Sequence, residues 1–139
     1  MKRVLFVCLG NACRSQMAEA FARANGSDVL IAASAGLTPA YNFGVAPDTL
    51  RAMSEKGLDL SGHSPKSLRQ AGKGPFDLVI NLSGFDLPER VGRETRTWDV
   101  PDPVFFSYED HCEVRDAIER LVSNLIQELR GATSPRAGY

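Results

Sequence analysis

The opening of the sequence constrains the fold most: an apolar run that leads almost directly into a helical pattern. Val4–Val7 (VLFV) is continuously apolar, as expected of a strand covered on both faces. Ser15–Ala24 (SQMAEAFARA) is rich in strong helix formers and sets Met17, Phe21 and Ala24 along one side. Only the segment Cys8–Arg14 lies between. A buried strand feeding a helix this closely is the first half of a crossover unit, the connection that parallel strands require.

The same alternation continues down the chain. Val29–Ala33 (VLIAA) is a second buried run, closed by Ser34-Ala35-Gly36. Pro47–Lys56 reads as a helix, with proline at its start and Gly57 just past its end. Phe76–Leu82 (FDLVINL) predicts a third strand and Thr97–Val100 (TWDV) a short fourth. Val114, Ile118, Leu121, Val122, Leu125, Ile126 and Leu129 recur at three- and four-residue spacings, which predicts a long amphipathic helix. Ser107 followed by Asp110 resembles a capping box with Asp in place of Glu. The expected class is an α/β layered sheet. Ligands in such sheets sit beyond the carboxyl ends of the strands, which points to the Cys8–Arg14 loop, residues 37–45 and the turn at Asp102.

Composition excludes several function classes. The 139 residues suit one domain, read as 1–130, with Gly131–Tyr139 as a loose tail. Hydrophobic residues at 43% and charged residues at 24% argue against a disordered chain. A net charge of -1 leaves no overall basic field for nucleic acid or an anionic membrane. The apolar run after Met1-Lys2-Arg3 is too short for a secretory signal, and no stretch has the length of a membrane span. The three cysteines, Cys8, Cys13 and Cys112, are odd in number, which predicts reduced thiols and a cytoplasmic protein.

The loop itself, Cys8-Leu9-Gly10-Asn11-Ala12-Cys13-Arg14-Ser15, carries the chemistry. Between a strand end and a helix start, successive backbone N–H groups can curl inward into an anion nest, reinforced by the helix dipole. Gly10 permits positive φ, and Asn11 tolerates it. Cys8 would sit at the base of the nest as a thiolate nucleophile. Arg14 would clamp two oxygens of a tetrahedral anion with its planar fork. Ser15 either caps the helix or donates to the Cys8 sulfur. A proton donor is also needed for the leaving oxygen. The candidate is Asp102 in Asp99-Val100-Pro101-Asp102-Pro103, with Asp99, inside the predicted strand, as the fallback. His63 on its own is a loop residue without a role, and His111 an exposed residue near a helix start. Cys112 reads as a partly buried helix residue.

Together, CLGNACRS followed by QMAEA, Ser34-Ala35-Gly36, GLDLSGHS (Gly57–Ser64) and Asp102-Pro103 resemble the low-molecular-weight protein tyrosine phosphatase superfamily, which includes thioredoxin-coupled arsenate reductases. The resemblance runs from about Val4 to Leu129. It implies a four-stranded parallel sheet flanked by helices in a flavodoxin-like arrangement. It implies Cys8 as nucleophile, Arg14 as clamp and Asp102 as general acid, with Leu9–Ser15 binding the anion. It also implies that Asn11, Ser15, Ser34 and His63 support the loop.

Two branches of that superfamily compete. Gln16, DLSGHSPKSL and Trp98 resemble the arsenate reductases. Those enzymes carry resolving cysteines just after the third strand, where this chain has Ser83. Cys13 resembles the second loop cysteine of the phosphatases, serving as a redox guard or merely packing beneath the loop. Val104-Phe105-Phe106 replaces the phosphatases' tyrosine pair. Tyr41, Phe43, Phe105 and Phe106 either wall an aryl cleft or pack at its rim. Ser83 therefore favours a metal- and cofactor-independent phosphomonoesterase acting on a phosphotyrosine protein or small aryl phosphate through a phosphocysteine. The alternative is an arsenate reductase served by thioredoxin or glutaredoxin. A non-hydrolytic phosphocysteine carrier would need no acid, and the Asp102-Pro103 turn argues against it.

Overall fold

The computed structural model describes residues 1–72 and 74–133. Its elements are β1 (Lys2–Cys8), α1 (Arg14–Gly26), β2 (Leu30–Gly36), α2 (Pro47–Ser54), β3 (Phe76–Asn81), β4 (Gly92–Thr97) and α3 (Tyr108–Thr133). The four strands form one sheet in the order β2-β1-β3-β4, and each adjacent pair is parallel. β1 lies at the centre, so its run from Val4 to Cys8 is buried on both faces, which is why it shows no polar alternation.

Successive β1 side chains serve opposite faces. Val4, Phe6 and Cys8 join the larger core with Met17 and Phe21 of α1, Met53 of α2, and Ile118, Val122 and Leu125 of α3. Each such side chain contributes roughly 1.5–3 kcal/mol on burial. Leu5 and Val7 face a smaller cluster with Ala35, Phe76 and Val79, covered by Leu37, Leu68 and Leu87 from irregular segments. The α3 stripe is packed as its spacing predicts, with Leu121 only partly buried. Its start is a reciprocal cap: Asp110 N donates to Ser107 Oγ (3.2 Å), and Ser107 N donates to Asp110 Oδ2 (3.2 Å).

The largest differences from the sequence reading are at β4 and at the C-terminal tail, while β2 runs on to Gly36 and α2 stops at Ser54, short of the predicted Lys56. β4 is Gly92–Thr97 (GRETRT), upstream of the predicted Thr97–Val100. It is an edge strand, mostly exposed, so its residues are polar and leave no apolar signal. Arg96 ties it to α3 through a two-pronged pair with Glu128 (2.9 and 2.7 Å). Trp98 and Asp99 therefore follow the strand, and Asp99 is exposed. The second difference is that Gly131–Thr133, read as the start of the tail, continue α3. Residues 134–139 of that tail lie outside the described residues. No helix among the described residues is long and apolar enough to cross a membrane.

Candidate active site

The loop between β1 and α1 is held open by its neighbours. The segment after β2 runs alongside it and satisfies its outward carbonyls. Leu37 N donates to Cys8 O (3.0 Å), Thr38 N to Leu9 O (2.8 Å), Ala40 N to Gly10 O (3.0 Å) and Ala46 N to Ala12 O (3.0 Å). With those carbonyls engaged outside, the loop's N–H groups are left for its interior, the arrangement of an anion nest. Asn11 N already donates to Cys8 Sγ (3.2 Å). The left-handed turn falls on Asn11 (φ 53), not on Gly10. Its side-chain amide fixes that conformation from within, so the loop does not need glycine there.

Ser15 does not cap α1, whose N-cap has no side-chain bond. Its Oγ lies 2.8 Å from Cys8 Sγ and accepts a bond from Asn11 Nδ2 (2.7 Å). A Ser15 hydroxyl donating across this contact is the arrangement that would stabilise a thiolate. Asn11 Nδ2 also donates to Ser34 Oγ (3.0 Å), and Asn11 Oδ1 accepts from Lys66 N (2.9 Å) and Gln16 Nε2 (3.1 Å). His63 reaches the loop only through Gln16, its Nδ1 donating to Gln16 Oε1 (3.1 Å).

Arg14 is buried beneath the loop. Its Nη1 donates to the carbonyls of Leu82 and Val100 (3.1 Å for Val100), and its Nη2 faces Asp102 Oδ2 at 3.3 Å. Its Nε is buried with no protein partner. An unpaired buried donor is costly, and Nε with Nη2 is the edge of a guanidinium suited to two oxygens of an oxyanion. Asp102, one-third exposed, is oriented by Val104 N donating to its Oδ1 (3.1 Å). The same side of the sheet thus brings together Cys8, Arg14 and Asp102, from the ends of β1, the start of α1 and the turn beyond β4.

Cys8, Leu9, Gly10, Ala12, Cys13, Asp102 and Phe105 line a cleft of about 180 Å³ with Thr38, Ala40 and Val104. A larger groove of about 620 Å³ adjoins it between Phe43 and Phe105, and no charged residue lines it. Of the four aromatic candidates, Phe43 and Phe105 wall this space. Tyr41 instead turns its hydroxyl to Gln70 (2.7 Å). Phe106 lines a separate cavity between the Asp102 turn and α3. Phe105 and Phe106 lie in a tight turn closed by Phe106 N donating to Pro103 O (2.9 Å), where the chain changes direction from one residue to the next.

Several buried polar residues carry no sequence signal. Glu19, on α1, is 2% exposed. It accepts from Ser34 and pairs with Arg23 (2.7 Å) and Lys66 (3.9 Å), so Ser34 and Asn11 rest on a buried carboxylate. In the sequence Glu19 and Arg23 are an ordinary surface pair. His111, expected to be exposed, is 1% exposed, with Nδ1 2.9 Å from Thr49 Oγ1. Burial pushes the Cys13 thiol up to about 12, only partly offset by Thr49 and Arg14. Cys112 is half-buried and, like the other two cysteines, free. Among the described residues, no group of three or more His, Cys, Asp or Glu is placed to hold a metal ion.

Comparison with known proteins agrees with this geometry. The glutaredoxin arsenate reductase of Synechocystis sp. is 36% identical over 133 residues, covering 93% of this chain and 99% of that protein. A solved arsenate reductase in the phosphate binding state superposes with a TM-score of 0.83 at 34% identity, covering 93% of this chain and 99% of the other. The low molecular weight protein tyrosine phosphatase of T. tengcongensis superposes with a TM-score of 0.77 at 30% identity, covering 92% and 99%. Residues 3–134 match the model of the low molecular weight phosphotyrosine protein phosphatases. With the nest, the buried Arg14 and a full-length match all present, the chain belongs to the low molecular weight phosphotyrosine protein phosphatase family.

Proposed function

We propose that this chain is a cysteine-dependent arsenate reductase. The observation that carries the covalent chemistry is the buried, unpaired Arg14 Nε beside the Cys8 nest. Arsenate as the oxyanion is supported by the names of the relatives, which are arsenate reductases at 34–36% identity. This reverses the weight that Ser83 alone placed on phosphatase chemistry.

The residues perform the reaction as follows. Arg14 and the loop N–H groups hold the oxyanion with its central atom facing Cys8 Sγ. The Cys8 thiolate attacks arsenic, and Asp102 protonates the oxygen that departs as water. A second thiol then attacks the Cys8 sulfur. The sulfur–arsenic electron pair stays on arsenic, which leaves as arsenite, and the two thiols become a disulfide. Cys13 is the cysteine of this chain placed in the loop. A glutaredoxin- or thioredoxin-type dithiol returns the disulfide to thiols.

Aryl phosphate hydrolysis is the second reading, favoured by the uncharged groove that continues the cleft between Phe43 and Phe105. There the same three residues form a phosphocysteine, and water replaces the second thiol. A side-by-side assay separates the two. Arsenate with NADPH-coupled glutaredoxin or thioredoxin, and p-nitrophenyl phosphate, are each supplied to wild type, Cys8→Ser and Cys13→Ser. Arsenate-dependent NADPH oxidation lost in both variants supports reduction. Inhibition by arsenate without turnover, alongside phosphate release that survives in Cys13→Ser, overturns it in favour of hydrolysis.

A further inference from the structure

Asp102 stands where an incoming anion would bind. Arg14 Nη1 is fixed by the carbonyls of Leu82 and Val100, and Val100 leads into the same turn as Asp102. The opposite edge of the guanidinium carries Nη2 and Nε. Nη2 faces Asp102 Oδ2 at 3.3 Å, while Nε is buried with no hydrogen-bond partner among the described residues. The other carboxylate oxygen, Oδ1, is held by Val104 N (3.1 Å), which keeps Asp102 from gripping both donors. A carboxylate therefore covers half of the fork. Arg14 is buried and Asp102 one-third exposed, so the acid can withdraw toward solvent and the guanidinium cannot. Asp102 lines the cleft over Cys8 and also the cavity of about 390 Å³ that Phe106, Asp110 and Glu113 share. That cavity gives the side chain room to move, and the like charges of Asp110 and Glu113 favour its place on Arg14.

We propose that the Asp102 carboxylate is an internal competitor for the Arg14 fork, displaced only by an anion that presents two oxygens, and that it thereby selects tetrahedral oxyanions over chloride and other single-point anions. The proposal rests on the reading of the Cys8–Arg14 loop as an oxyanion site, and it applies to arsenate and phosphate alike. Asp102 satisfies Nη2 and leaves Nε unpaired. An oxyanion with two oxygens on this edge satisfies both donors, and its remaining oxygens take the loop N–H groups. The exchange then gains bonds that the carboxylate does not make. Chloride offers one point of contact and leaves the expelled carboxylate beside a second anion, so it gains nothing comparable. Arg14 stays anchored through Nη1, so only Asp102 has to move. This selection acts when the anion binds, before Asp102 serves as proton donor.

Isothermal titration calorimetry with inorganic phosphate, which needs no reductant, reads the competition. Asp102→Asn keeps an acceptor for Val104 N and removes the charge. It is expected to bind phosphate about tenfold tighter than wild type at the same pH, the scale of a close charge pair, even though the loss of the proton donor slows turnover. A tenfold gain means that the fork is open in about a tenth of wild-type molecules. Glu113→Gln removes a negative charge from the same region, and Glu113 is not a partner of Arg14; its phosphate affinity should stay within about twofold of wild type. Wild type should bind phosphate equally, within about twofold, in sodium chloride and in sodium gluconate of matched ionic strength, whereas Asp102→Asn should bind about threefold or more weakly in chloride. Wild-type affinity in Asp102→Asn, an equal gain in Glu113→Gln, or chloride competition as strong in wild type as in Asp102→Asn overturns the proposal. Phosphate that binds neither wild type nor the variants overturns the oxyanion-site reading, and the proposal with it. Tighter phosphate binding by Asp102→Asn in a chain that never turns over arsenate upholds the exchange and overturns the reductase reading alone.

Discussion

Gly36→Ala is the substitution whose consequence follows most directly from the geometry. Gly36 ends β2 and lies against the reactive loop. A Cβ added there would meet Asn11 N at 2.8 Å, Leu9 O at 2.8 Å and Gly10 C at 2.9 Å, where ordinary contact begins at 3.4 Å. The difference, 3.4 − 2.8, requires one side to yield by about 0.6 Å. The strand is poorly placed to do so. Gly36 is in register with Cys8, its N–H is bonded to Lys66 O at 2.7 Å, and Leu37 N is bonded to Cys8 O at 3.0 Å. The loop must therefore move. Overpacking of this kind costs about 1–3 kcal/mol. Because Asn11 links Cys8, Ser15 and Ser34, the shift also disturbs Cys8, the proposed nucleophile. A displacement of this size is expected to lower kcat/KM by roughly 10- to 100-fold. Urea unfolding measures the first effect, and p-nitrophenyl phosphate or arsenate turnover the second. Gly62→Ala, with open space around it, is the control and should lie within about 0.5 kcal/mol of wild type. A Gly36→Ala protein with the wild-type urea midpoint and turnover within twofold would refute the close packing of loop on strand.

Three further outcomes follow. Arg14→Lys keeps the charge but loses the planar fork and its bonds to the Leu82 and Val100 carbonyls; kcat/KM should fall about 10²- to 10³-fold, and a loss under threefold would count against the clamp. Glu19→Gln leaves Ser34 and Arg23 without their carboxylate; urea unfolding should show a loss of about 1–3 kcal/mol, and an unchanged midpoint would show that the buried cluster carries no stability. Cys13 supplies a pH test. Burial pushes its folded thiol up to about 12, against 9.0 as the ordinary value, so above about pH 9 the unfolded chain gives up that proton first. Stability should then decline with rising pH up to about 12, by at most about 1.4 kcal/mol per pH unit. Comparison of urea midpoints at neutral and alkaline pH should show a shallower decline in Cys13→Ala; parallel declines would contradict a buried, protonated Cys13.

Much of the architecture is legible because its signals are local. Val4–Val7 followed by Ser15–Ala24 announces strand, loop and helix, since burial on both faces and helix propensity act through neighbours in sequence. The Ser107–Asp110 cap and the α3 stripe are likewise short-range patterns. β4 escapes this reading because Gly92–Thr97 is an exposed edge, where charge rather than apolar alternation is the natural composition. The choice of Asn11 over Gly10 for the left-handed turn depends on the side-chain bonds of Asn11 to Ser15 and Ser34, and Ser34 lies on another strand.

The sequence by itself determined the parallel α/β plan and singled out the candidate loop, because Cys8 and Arg14 occupy one continuous stretch between β1 and α1. Only the tertiary structure decided what surrounds them. It is the sheet order β2-β1-β3-β4 that carries the chain back so that Asp102 meets Arg14 and the 37–46 segment braces the loop. The packing of α2 against α3 encloses His111 with Thr49 beside Cys13, and the packing of α1 encloses Glu19 beneath Ser34. Burial of a charged or titratable side chain is set by which distant segments fold over it, and residue type and local spacing do not encode that.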